Sequence, residues 1–121
     1  MANIAVKDIT SAKEFYERTL GLTAIRIDPS GRTMYKTGNA AICIYESEFA
    51  GTNKADYIAW EVGDDFKRIV LTLKEKHVVF LDYGEQLGVE VIDDMHHVTN
   101  DAGLAWIQDP DGNLMVIAGN L

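Results

Sequence analysis

Trp106-Ile107-Gln108-Asp109-Pro110-Asp111-Gly112-Asn113-Leu114-Met115-Val116-Ile117 reads as two short strands around a turn. Asp109 opens the turn and Pro110 presets φ at about −65°. Gly112 takes the left-handed position that costs other residues energy. Pairing the strands across this turn sets Trp106 opposite Val116, both on one face. Asp28-Pro29-Ser30-Gly31 is an earlier turn of the same kind.

Two amphipathic helices stand out. Ser11 and Glu14 have the spacing of a capping box after Asp8-Ile9-Thr10, and Ala12, Phe15, Tyr16 and Leu20 recur at helical spacing before Gly21. The second helix follows Gly63-Asp64-Asp65, with Phe66, Ile69, Val70 and Leu73 as its apolar stripe. The rest reads as strands: 4–8, 22–28, 32–37 and 41–46 around a Gly38-Asn39 turn, then 57–62, 78–83, 104–108 and 114–118. Gly84 to Gly103 reads as a long loop. The order strand, helix, three strands occurs twice, which predicts one α+β domain (1–121) built of two βαβββ modules, 1–50 and 56–121.

Composition narrows the function. Net charge is −8, with a pI near 4.7. That argues against nucleic acid and anionic membranes as partners and suits a neutral or cationic ligand, or simply solubility. No apolar run approaches the ~18 residues of a membrane span. The first residues lack signal-peptide features, and Cys43 is the single cysteine, so the expected location is the cytoplasm.

Val6-Lys7-Asp8-Ile9, Ala12, Phe15-Tyr16-Glu17 and Leu20-Gly21-Leu22, followed far downstream by Asp109-Pro110-Asp111-Gly112-Asn113, resemble the vicinal oxygen chelate superfamily. It includes glyoxalase I, extradiol dioxygenases, fosfomycin-modifying enzymes and bleomycin-resistance proteins. The resemblance implies the glyoxalase/bleomycin-resistance fold, in which curved mixed sheets surround a cleft and carry helices on their outer side. It also implies a homodimer. Metal-dependent members carry His or Glu on the first and fourth strands of each module. Those positions fall here at Met1, Cys43, Tyr57 and Val116, none of them a His or a carboxylate. The ancestral metal site is therefore expected to be lost, with no cofactor in its place.

Strand alternation puts Ile4, Val6, Ile42, Ile44, Ile58, Trp60, Val62, Met115 and Ile117 under the helices. The cleft is then lined by Cys43, Tyr45, Tyr57, Trp106 and Val116, with Glu61 and Gln108 as polar members and Tyr35 expected opposite Cys43. Aromatic walls with few polar groups suit a small-molecule pocket, though the same rings could merely fill space. A cation could sit over Tyr or Trp faces. Cys43 is a possible nucleophile, but the sequence identifies no base or cation to activate it. His96-His97 reads as solvated loop, with His97 able to reach the cleft rim.

The favoured expectation is a metal-free protein that binds an organic ligand, as bleomycin-resistance members do by sequestration. The alternative is a glyoxalase- or dioxygenase-like lyase, isomerase or oxygenase with a relocated metal, or with acid–base catalysis by Glu61, Tyr57 or His97. A module that uses the fold only for association is the third.

Overall fold

Asp8, rather than Ser11, starts the first helix. Its carboxylate accepts from the Thr10 amide at 3.0 Å, a donor that a helix start leaves orphaned, and from the Ser11 hydroxyl at 2.8 Å. Glu14 does not close a capping box; it pairs with Arg18 at 3.4 Å.

The computed structural model describes residues 1–121, which divide into two compact units, Met1–Ile58 and Ala59–Leu121. The first contains β1 (Ala2–Val6), α1 (Ile9–Glu14) extended by a π turn (Phe15–Thr19), β2 (Ala24–Ile27), β3 (Thr33–Thr37) and β4 (Ala40–Glu46). Its strands are ordered β2-β3-β4-β1, with β1 parallel to β4 and the other pairs antiparallel. The Gly38-Asn39 turn has two residues, so Thr37 faces Ala40, Met34 faces Cys43 and Tyr35 faces Ile42. This corrects the expectation that Tyr35 lies opposite Cys43. A shift of one residue exchanges faces. Tyr35 is accordingly fully buried on the helix side, stacked on Tyr16 at 5.8 Å between ring centres.

The strand β5 (Asp56–Glu61) pairs with β1 at Ala2–Ile58 and continues into the second unit. There a 3-10 turn (Gly63–Asp65) leads into α2 (Phe66–Glu75), followed by β6 (Val79–Leu81), α3 (Gly84–Leu87), β7 (Val91–Ile92), β8 (Met95–His97), β9 (Ala102–Gln108) and β10 (Leu114–Asn120). β10 lies between β5 and β9, and the far edge of β9 is shared by β6 and β8. The fold is α+β, a mixed sheet with few helices.

The core of this unit is Phe66 and Val70 of α2 against Met95, Ala105, Ile107 and Ile117. Gly103 and Gly119 face each other across β9 and β10, and the Phe66 ring lies against both. A Cβ on Gly119 would come within 2.7 Å of the Gly63 carbonyl, so these glycines serve a close approach. Because α2 seats on β8, β9 and β10, Trp60 on β5 is not beneath it and is 44% exposed. Val62 does join the core margin.

Gly84 to Gly103 is not a loop. It holds α3 and the β7–β8 hairpin, in which Ile92 faces Met95 across Asp93-Asp94. Both aspartates have positive φ, 51° and 65°, as a type I′ turn requires. Lys74 of α2 reaches both carboxylates, at 3.8 and 3.1 Å, and offsets their proximity.

Candidate functional site

The Asp109 turn fixes the site's best-defined wall. Asp109 Oδ1 accepts from the amides of Asp111 at 2.9 Å and Asn113 at 2.8 Å, and Oδ2 from Asn113 Nδ2 at 2.8 Å. The Asn113 side chain, then its amide, holds the Asp109 carboxyl below its usual range. Gly112 has φ 84°. With this turn closed, Trp106 pairs with Val116, as alternation predicts, on the face of the sheet away from α2.

That face carries a built aromatic group. His96 meets Trp106 edge-on at 4.8 Å, and Tyr83 meets it edge-on at 5.2 Å. His96 is fully buried. Its Nε2 accepts from the Tyr83 amide at 2.8 Å, which leaves Nδ1–H to donate to the Leu104 carbonyl at 3.2 Å. Both ring nitrogens are used by a neutral imidazole in one tautomer. Asp82 lies 3.9 Å from Nε2. His96 therefore corrects the solvated-loop reading. His97, by contrast, pairs with Gly103 and stands on the α2 side of β8.

The first unit presents a polar group on its own helix-free face. Asn3 and Cys43 are register partners on β1 and β4, 2% and 4% exposed. Arg32 follows a turn in which Asp28 Oδ1 accepts from the Ser30 amide at 2.9 Å, the Ser30 hydroxyl at 2.6 Å and the Arg32 amide at 3.1 Å. The turn delivers the Arg32 guanidinium 5.3 Å above the Tyr45 ring. Tyr45 donates its hydroxyl to the Asp56 carbonyl at 2.9 Å. Asn3 Nδ2 reaches the Asp56 carboxylate at 3.4 Å. Burial works against the Arg32 charge, but Cys43, Asp56 and Asp28 together hold its pKa above the usual range. Burial, then Asp56, pushes the Tyr45 phenol well up. Arg32 is the cation beside Cys43 that the sequence did not identify.

Of the expected site residues, Cys43 and Tyr45 stand together in the first unit, and Trp106 and Val116 in the second. Tyr57 is 41% exposed and Glu61 is exposed. Gln108 donates to the Gly112 carbonyl at 3.4 Å and so serves its own turn. Tyr35 leaves the set, held under α1 with its phenol pushed up by burial. Asn3, Arg32, Asp56, Tyr83 and His96 were missed. Arg32 was within reach: the two-residue turn at Gly38-Asn39 sets it across from Tyr45.

A family model described as Glyoxalase/Bleomycin resistance protein/Dioxygenase superfamily matches residues 1–117. The chain belongs to this superfamily. Solved structures agree on the fold. A glyoxalase/bleomycin resistance protein/dioxygenase superfamily member from Vibrio splendidus 12B01 has a TM-score of 0.66 at 14% identity, covering 98% of this chain and 96% of its own. A hypothetical protein from Bacillus halodurans C-125 has a TM-score of 0.66 at 20% identity, covering 98% and 90%. The methylmalonyl-CoA epimerase of Streptomyces coelicolor has a TM-score of 0.67 at 15% identity, covering 98% and 90%. No curated protein matches in sequence. No helix of this superfamily member is long and apolar enough to cross a membrane.

At the positions that the resemblance assigns to metal ligands, the donors do not fit a hard divalent ion. Cys43 offers a buried thiol, Tyr57 a phenol, and Val116 no donor at all.

Proposed function

We propose that this superfamily member binds an organic small molecule without a divalent metal, using the aromatic face around Trp106. The observation that carries the reading is Val116. It is an apolar residue, 5% exposed, at a position where metal-dependent relatives would carry a carboxylate. Across from it stands an indole held in T-shaped contact with two other rings. Replacing a metal ligand by an apolar contact beside a rigid indole removes Lewis-acid chemistry from that position and leaves a surface suited to stacking. Binding asks only for affinity, which fits a face whose histidine already spends both nitrogens on the backbone.

A thermal-shift screen of cationic and aromatic compounds is the test, since any ligand of the folded state raises Tm. Hits are expected, and Trp106→Ala should weaken them by roughly tenfold or more, the order of magnitude of one lost aromatic contact. Metal analysis after exposure to Ni²⁺, Zn²⁺, Mn²⁺ or Fe²⁺ should show no stoichiometric ion. One bound metal per chain, or hits indifferent to Trp106→Ala and Tyr57→Ala, would reverse the reading in favour of an enzyme.

A further inference from the structure

Asn3 poses a specific problem of hydrogen-bond accounting. It is 2% exposed in mid-strand on β1. Its Nδ2 points to Asp56 Oδ1, and because a carboxylate can only accept, that bond fixes the amide's orientation. Its Oδ1 is then left buried with no partner. Buried acceptors are nearly always satisfied, and an exception calls for a cause. The amide's one bond, to Asp56, is long, and its unmet acceptor costs folding free energy. An apolar residue would suit a strand flanked by Ala2 and Ile4, and it would carry no unmet acceptor.

The surroundings define what would satisfy it. Asn3 lies on the same sheet face as Cys43, Tyr45 and Arg32, and Asp56 adjoins it. Two carboxylates, Asp28 and Asp56, act on the single guanidinium of Arg32. Asp56 brings a carboxylate beside the buried amide, in a chain of net charge −8. The missing partner must donate a hydrogen bond, and the local charge favours a donor that is positive. The other buried orphan oxygen, the Tyr35 hydroxyl, lies on the helix side and is no part of this group.

We propose that Asn3 and Asp56 form a recognition site for the ammonium group of an organic amine, with Asn3 Oδ1 accepting one N–H and the Asp56 carboxylate supplying the counter-charge. The site lies wholly within Met1–Ile58. It rests on the small-molecule reading above and adds the chemical class of the ligand.

The test uses the full chain with two matched probes, phenethylamine and 3-phenylpropionate, with Tm shift and the Asn3 side-chain NH₂ resonance as readouts. Phenethylamine is expected to raise Tm and move that resonance, while 3-phenylpropionate does neither. Asn3→Leu should weaken phenethylamine at least tenfold while the unliganded protein keeps or raises its Tm, because the unmet acceptor is gone. A merely structural Asn3 would give the reverse: a lower Tm in Asn3→Leu with amine binding intact. That result overturns the proposal, as does equal binding of the two probes, or an Asn3 resonance unmoved by amine because a resident water already satisfies Oδ1. If aromatic probes bind through Trp106 but the amine has no advantage, the Asn3 proposal alone falls. If no probe binds at all, the small-molecule reading falls with it.

Discussion

His96 shows how much one side chain can settle. It accepts from one backbone group, donates to another and meets Trp106 in a T-shaped ring contact, all at zero exposure. His96→Leu leaves the Tyr83 amide and Leu104 carbonyl without these bonds and should cost about 2–4 kcal/mol in urea unfolding, the sum of two unmet buried groups. It should also loosen Trp106, seen as a shift in tryptophan emission. His96→Gln, able to donate and accept, should recover part of the stability; equal losses for both variants would mean that ring packing alone matters. None of this was legible in the sequence. Two adjacent histidines after two aspartates look like solvated loop, because the turn that makes them a strand lacks glycine. Only positive φ at Asp93 and Asp94, with Lys74 to neutralise them, makes that hairpin possible. Asn3 was equally hidden, since an isolated asparagine between alanine and isoleucine carries no pattern.

At the scale of elements, the sequence was far more open. The Asp109 turn, the Trp106–Val116 pairing, both helices and the face assignment of β10 could be read from turn chemistry and alternation, since each depends on neighbours in sequence. Tyr35 was misplaced because the register followed from the length of the Gly38-Asn39 turn, which sequence left ambiguous. Trp60 was misplaced because where α2 lies over the sheet depends on the Gly103–Gly119 seat, a contact between distant residues. Gly119→Ala should accordingly destabilise by roughly 1–3 kcal/mol, since backbone of the Gly63 turn crowds the new methyl. A neutral result in denaturant unfolding would show that Phe66 can move. The turns also carry a pH signature. Asp8, Asp28 and Asp109 all titrate below their usual value because hydrogen bonds favour the charged form, those from Ser11, Ser30 and Asn113 most strongly. A depressed carboxyl stabilises the fold above its unfolded pKa of about 3.9, and loses that effect as pH falls through the folded value. Tm should therefore drop as pH falls from about 5, and less steeply in Asp109→Asn. Parallel acid profiles would show that this turn is not coupled to global unfolding.

At the scale of the whole molecule, family membership and fold are settled, and the chemistry is carried by individual residues rather than by the fold. The resemblance implies a homodimer, and Phe15, Leu20, Ile25 and Ile27, each about half exposed on the π turn that extends α1, at its end and on the edge strand β2, are apolar surface of the kind an interface covers. Sedimentation equilibrium should give twice the 13.4 kDa chain mass, with Ile27→Lys shifting it toward one chain. A single-chain mass for the unmodified protein would refute the dimer.

The Asp28 and Asp109 turns have a consequence for how this chain can vary. Surface turns usually accept insertions, and evolution and engineering both exploit them. These two act instead as spacers of fixed length, because a carboxylate that must reach amides two and four residues on cannot serve a longer loop. One added residue would release the register and could send Trp106 or Arg32 to the wrong side of its sheet. In this protein the turns, to which no ligand contact is assigned, are the places where length is least free to change. Diversification has to proceed by substitution on the strands that they hold in step.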